Sequence, residues 1–271
     1  MKERVISGII GVILAYLFMY YGGFPFFLAL LLLMTSGILE FYGMCEKEEI
    51  PVLKFWGVFI ALLFSLQVYF LNPYSELARN LLSLTLTLSV CGTLIIYLFR
   101  EASDEAFYGF TATLAGIFYV GWLMTHILLL REIKPLGREF LLAGVITNWA
   151  ADTGAFYTGM KFGRRRLHKY SPNKTRAGAV GALIGALLVF LVLRKLYGLD
   201  RYITLIQAIL AGLLIGALAV AGDLSESLFK RNLGIDDSGG FLPGHGGVLD
   251  RTDSLLFTVP FVYYFALWVL R

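Results

Sequence analysis

The chain has 271 residues, of which 58% are hydrophobic and only 15% charged, with a formal net charge of +4 and a mean hydropathy of +0.74. A soluble domain carries about a quarter of its residues as charges, so a soluble all-helical protein is set aside in favour of an all-α polytopic membrane protein. Cys45 and Cys91 stand far apart without metal-type spacing, which leaves a disulfide framework or thiol chemistry without support.

Apolar windows separated by charge clusters predict nine transmembrane helices, at 5–21, 24–39, 55–71, 81–99, 107–130, 139–160, 177–197, 203–226 and 255–270. The first follows a basic lead, MKER, and has no clear small-residue cleavage site, so it reads as a retained span rather than a removed signal. The YYGG boundary between the first two windows is short, and 81–99 is rich in threonine and serine. With the N-terminus in the cytoplasm, fifteen of the 23 lysines and arginines fall in inner segments and eight in outer ones, as the positive-inside rule favours. Spans one to five (1–135) form an N-terminal membrane region. Residues 136–271, with spans six to nine and the connections at 161–176 and 231–254, form the catalytic region. Two spans separate those connections, so both face the same side, and on this count it is the cytoplasm.

The polar residues inside the apolar segments point to chemistry. Asn148 and Asp152 are four apart in NWAADTG and share a helix face. An aspartate at membrane depth costs about 2.5–3.5 kcal/mol on insertion scales and normally faces a cavity, a partner or an ion. The bland alternative for this pair is a hydrogen-bonded fastening between helices. In AVAGDLSESLFKRN, Asp223, Ser227 and Lys230 fall at i, i+4 and i+7, beside Glu226 and Arg231. A continuous helix there presents an acid at depth and bases at the interface, an arrangement suited to a metal-bound phosphate. Lys230 and Arg231 also fit an ordinary solvated helix end.

The connection GGFLPGHGGVLDRTDS (239–254) carries glycines that allow backbone N–H groups to approach an anion, with Gly246 and Gly247 flanking His245 on its C-terminal side. His245 is suited to donate to a phosphate, and Asp250, Arg251 and Asp253 precede the last span. Two carboxylates, Asp223 and Asp250, with bases and a glycine cradle are the parts of metal-assisted phosphoryl or nucleotidyl transfer. Arg164, Arg165 and Arg166 read as anchors on anionic headgroups. SPNKT (171–175) reads as a proline-fixed turn presenting Lys174 and Thr175 to a headgroup or nucleotide phosphate. The GxxxG pairs Gly181–Gly185 and Gly212–Gly216 predict close helix packing first and homodimerisation second. His126 reads as a packed, hydrogen-bonded side chain.

SLFKRNLGIDDSGGFLPGHGGVLDRTDS, from Ser227 to Ser254, resembles the signature of the phosphatidate cytidylyltransferases of the prokaryotic type. That signature is a serine, Lys-Arg, Lys-Asp, then Pro-Gly-His-Gly-Gly and Asp-Arg-x-Asp. NWAADTGAFYTGMKFGRRRL, SPNKT and KERVISGII also look like this family. The resemblance implies an inner-membrane enzyme, its active site facing the cytoplasm, that converts CTP and phosphatidic acid to CDP-diacylglycerol and pyrophosphate. Mg²⁺ is implied, alone or with a second cation, and no nucleic-acid partner. By position, Asp223 and Asp250 would hold the metal. Lys230, Arg231 and His245 would bind phosphates, with Asp237 in the same cluster. Asn148, Asp152, Ser171, Lys174, Gly246, Gly247 and Arg251 would contact substrate. Two positions depart from the pattern: Asp236 stands where lysine is usual, and Ala177 where glutamate or glutamine is usual. Rival readings with similar parts are a CTP-dependent lipid kinase and an ion-coupled transporter using Asp152 and Asp223.

Overall fold

A computed structural model of the chain describes residues 2–73, 75–100, 105–235 and 247–270. Two compact units divide it: Met1–Leu129 with Asn232–Arg251, and Leu130–Arg231 with Thr252–Arg271.

The first unit contains α1 (Lys2–Tyr21), α2 (Gly23–Lys47), α3 (Lys54–Phe70), α4 (Glu76–Phe99) and α5 (Ala106–Ala115). The last runs through seven residues of π-helix, Gly116–Trp122, into α6 (Leu123–Arg131). Gly116 and Gly121 lie where the wider turns meet α2 and α3: an added Cβ would strike the Tyr42 ring or Ala61. The Tyr42 hydroxyl donates to the Thr113 carbonyl at 2.7 Å just before this stretch. Ile60, Phe64 and Ile117 are fully buried and form the apolar centre.

The threonines and serines that weaken the pattern of 81–99 have a definite use. Thr85, Ser89 and Thr93, spaced by four, form a buried stripe on α4. Thr93 accepts the Trp56 indole N–H at 3.0 Å, and Thr85 accepts from the Gln67 amide at 2.6 Å. Each hydroxyl satisfies its own hydrogen on a carbonyl within the helix, so α4 stays apolar enough for lipid while fastening α3. His126 contacts the Trp122 carbonyl through Nδ1 at 3.0 Å and meets the Trp122 ring edge-on, a packed histidine.

The second unit contains α7 (Gly137–Phe162), the strands β1 (Arg166–His168) and β2 (Ser171–Thr175), α8 (Arg176–Leu196) and most of α9 (Leu205–Asn232). The short α10 (Leu249–Thr252) leads from the first unit into α11 (Leu255–Val269) in the second. Where α7, α8 and α9 meet, a buried cluster of the second unit is made of small residues, Ala151, Ala182, Ala186 and Ala219, and the unit also fully buries large ones such as Phe140 and Phe190. Gly154 and Gly181 bring the α7 and α8 backbones together, and Gly212 and Gly216 bring α9 onto Leu187 and Leu183 of α8. Both GxxxG pairs are therefore spent on packing within the chain.

SPNKT is not a turn. It forms β2, paired antiparallel with β1 through Arg166↔Thr175 and His168↔Ser171, and the chain reverses at Lys169–Tyr170. Pro172 falls between the paired positions, where its missing N–H costs no ladder bond.

All nine predicted windows are helical, but they are not equivalent. Among the described residues six helices are long and apolar enough to cross a membrane: Gly23–Lys47, Glu76–Phe99, Ala106–Arg131, Arg176–Leu196, Leu205–Asn232 and Leu249–Val269. Ile10–Tyr21 and Lys54–Phe70 are shorter apolar helices. α7 has 26 residues, about 39 Å at 1.5 Å per residue, but Arg138, Glu139, Asp152 and Lys161 interrupt its apolar character. Large apolar side chains point outward, with Leu98 78%, Ile206 71% and Leu32 62% exposed, a surface suited to lipid and not to water. The chain is an all-α polytopic membrane protein.

Candidate active site

In the second unit the site is built where α9 meets the start of α11. Gly222 permits the approach: a Cβ there would lie 2.5 Å from the Asp253 carbonyl and 2.9 Å from Ser254 Cα. Asp223 and Glu226, on the following turn of α9, are thereby set against Asp253, which is within hydrogen-bonding reach of both carboxylates. Glu226 is buried and 3.4 Å from Lys230. Asp253 is buried and also accepts the Ser254 N–H.

Lys174 comes to the same place from the hairpin. Thr175 ends β2 and is the N-cap of α8, its hydroxyl accepting the Gly178 N–H at 3.1 Å. That cap fixes the residue before it, and the Lys174 ammonium is ion-paired with Asp223. Asp152, on the exposed side of α7, lies within electrostatic range of both. Asp152, Asp223, Glu226 and Asp253 therefore converge with Lys174 and Lys230. The carboxyl groups of this cluster supply hard oxygen donors. This is a donor set that suits Mg²⁺ and not the nitrogen and sulfur set of a zinc site. Among the described residues no three histidine, cysteine or acidic side chains are already gathered into a metal-holding group, and the Lys174 ammonium takes Asp223 instead.

Asn148 is fully buried. Its amide donates to Ser254 Oγ at 2.9 Å and accepts from Thr258 Oγ1 at 3.1 Å, with a longer contact to Asp152 at 3.4 Å. It ties α7 to α11, four residues from Asp152. Asn148→Leu leaves both hydroxyls short of a partner in a buried place, and should cost about 1–3 kcal/mol. Thermal unfolding in detergent measures this as a lowered midpoint, whereas a substrate-binding role would raise KM at an unchanged midpoint.

Of the other predicted residues in this unit, Ser171 is buried at the start of β2. Lys230 and Arg231 occupy the last turn of α9. Ala177 contributes its carbonyl to the Thr158 hydroxyl at 3.1 Å. The first unit holds Gly247, Asp250 and the exposed Arg251. There the Gly247 N–H donates to Asp250 Oδ2 at 3.0 Å. Asp236, Asp237, His245 and Gly246 lie outside the described residues.

Two acids of the α9 cluster, Glu226 and Asp253, stand outside the predicted site set. A signal was available: Glu226 sits three positions after Asp223 on the same side of α9, and Asp253 closes the Asp-Arg-x-Asp run that Asp250 opens.

The family model for the cytidylyltransferase family matches residues 2–269. A phosphatidate cytidylyltransferase of Synechocystis is 36% identical, covering 99% of this chain and 97% of its own length. That of Haemophilus influenzae is 34% identical with both chains fully covered, and that of Bacillus subtilis is 29% identical over 97% of each. The match runs almost end to end in both the family model and these relatives: the chain belongs to the cytidylyltransferase family.

Proposed function

We propose that this chain is a multi-pass membrane enzyme that makes CDP-diacylglycerol and pyrophosphate from CTP and phosphatidic acid. The family match across residues 2–269 carries this reading, and the acid cluster with Lys174 and Lys230 supports it chemically. A phosphate oxygen of phosphatidate attacks the α-phosphorus of CTP. The new P–O bond forms as the bond to the β-phosphate breaks, and pyrophosphate departs. The attacking phosphate is already ionised, so no dedicated general base is needed.

Asp223 and Asp250 are the acids that would hold Mg²⁺, alone or with a second cation. Bound there, the ion supplies charge neutralisation and polarisation of the nucleotide phosphates. Lys230, Arg231 and His245 bind phosphate oxygens and stabilise the leaving group, and Asp237 belongs to the same cluster. Lys174 and Arg251 neutralise substrate charge, Asp152 and Ser171 position the headgroup, and the backbone at Gly246 and Gly247 cradles an anion. An apolar groove of about 500 Å³ on α7 and α8, lined by residues including Ile146, Trp149, Thr153, Gly185 and Val189, gives an acyl chain a place beside Asp152.

All nine helices cross or enter the bilayer of the inner membrane, with the N-terminus and the site on the cytoplasmic side. One substrate diffuses in the membrane and the other in the cytosol, and the location follows from that. With their glycines spent on internal packing, a homodimer would use other surfaces. Purified protein incubated with labelled CTP, Mg²⁺ and phosphatidate should form labelled CDP-lipid. Phosphorylated lipid with CDP would instead indicate a lipid kinase, and no turnover a carrier.

A further inference from the structure

Glu40 lies on α2 between the buried side chains Ile38, Phe41, Tyr42 and Met44, less than two turns before Glu46, the other acid of this helix. Its two oxygens are both engaged by backbone. Oε1 accepts the Val248 N–H and Oε2 accepts the Leu249 N–H, each at 2.9 Å. Val248 and Leu249 are themselves 1% and 0% exposed, so water cannot substitute as their partner. The next residue is Asp250, whose own Oδ2 accepts from Gly247.

We propose that Glu40 is a positioning residue for Asp250: it clamps the backbone on the N-terminal side of that acid and so sets where the carboxylate is presented. The inference rests on the reading of Asp250 as a metal-holding acid. A neutral acceptor would satisfy one N–H. The two oxygens of a carboxylate satisfy both at once, with the stronger, charge-assisted bond. That explains why an acidic side chain is kept among the buried apolar residues of α2. Residues that orient ligating carboxylates typically alter metal affinity or activity about 10–100-fold when removed.

The test uses full-length purified protein in detergent without substrates, with Mn²⁺ as the probe and free Mn²⁺ read by electron paramagnetic resonance. Glu40→Ala should raise the Mn²⁺ Kd about 10–100-fold and lower kcat more than it changes KM for CTP. Glu40→Gln, which keeps one acceptor, should give a smaller rise. A purely structural role lowers the unfolding midpoint but leaves the Mn²⁺ Kd of the folded protein unchanged. Wild-type Mn²⁺ affinity in folded Glu40→Ala therefore overturns the proposal. Should that variant not fold, the Kd of Glu40→Gln decides in the same way. Asp250→Asn run in parallel separates the two claims: wild-type binding there removes the metal reading and the proposal with it. Loss of binding there with normal Glu40 variants removes the positioning role alone.

Discussion

Asp223→Asn reduces CDP-diacylglycerol formation by about 10³-fold or more while the purified protein keeps its unfolding midpoint and its elution as a folded species. The substitution is isosteric, so packing of α9 against Asp253 at Gly222 is retained. What is lost is the partner of Lys174 and, on the proposed reading, the anionic donor for the cation. A cation's contribution to stabilising a phosphoryl transition state is worth several kcal/mol, and each 1.36 kcal/mol is tenfold in rate. The ion pair itself adds little to stability, because its side chains are 27% and 37% exposed and such pairs contribute about 0–1 kcal/mol. Activity and stability are thus expected to separate. Near-normal turnover in this variant, measured with saturating CTP and Mg²⁺, would remove Asp223 from the chemistry.

Gly154→Ala produces the opposite pattern, a loss of stability that carries activity down with it. The added Cβ would lie 2.4 Å from the Gly181 carbonyl oxygen on α8, and backbone cannot swing aside as a side chain can. Overpacking of this kind costs about 1–3 kcal/mol. Separation of α7 from α8 also moves Asp152 away from Lys174, which stands just before α8. Gly11→Ala is the matched control: nothing lies within 4 Å of its added Cβ, and in a helix the change stabilises by about 0.5–1 kcal/mol. Thermal unfolding of the two variants in one detergent should move in opposite directions. Equal midpoints would mean that the α7–α8 approach is looser than the structure has it.

The apolar windows were legible because hydrophobic runs and charge breaks are local properties of the chain. All nine are helices, and their ends fall within a few residues of the expected ones, except for α2 and α4 and the C-terminal end of α9, which run further. Asp223 stood out for the same reason, as an acid ending about twenty small or apolar residues. The hairpin was hidden because a proline among polar residues reads as a turn, whereas pairing with Arg166–His168 draws it into a strand. Glu40 was invisible for a deeper reason. Its partners are two backbone N–H groups, which every residue but proline possesses, so the pairing leaves no trace in residue type. Asn148 was noticed as polar, but that its partners are Ser254 and Thr258, 106 and 110 positions away, is a property of the fold alone.

The grouping of Asn232–Arg251 with Met1–Leu129 bears on how the protein can be divided. A fragment beginning at α7 would contain the whole Ser227–Ser254 signature and look like a minimal enzyme. It would nevertheless lack the carboxylate that holds Val248 and Leu249 from 208 and 209 positions upstream. The first helices are therefore more than a membrane anchor that could be exchanged for another hydrophobic leader. Splitting the gene between the halves calls for supplying both pieces together, and grafting the signature onto a foreign scaffold calls for bringing α2 along.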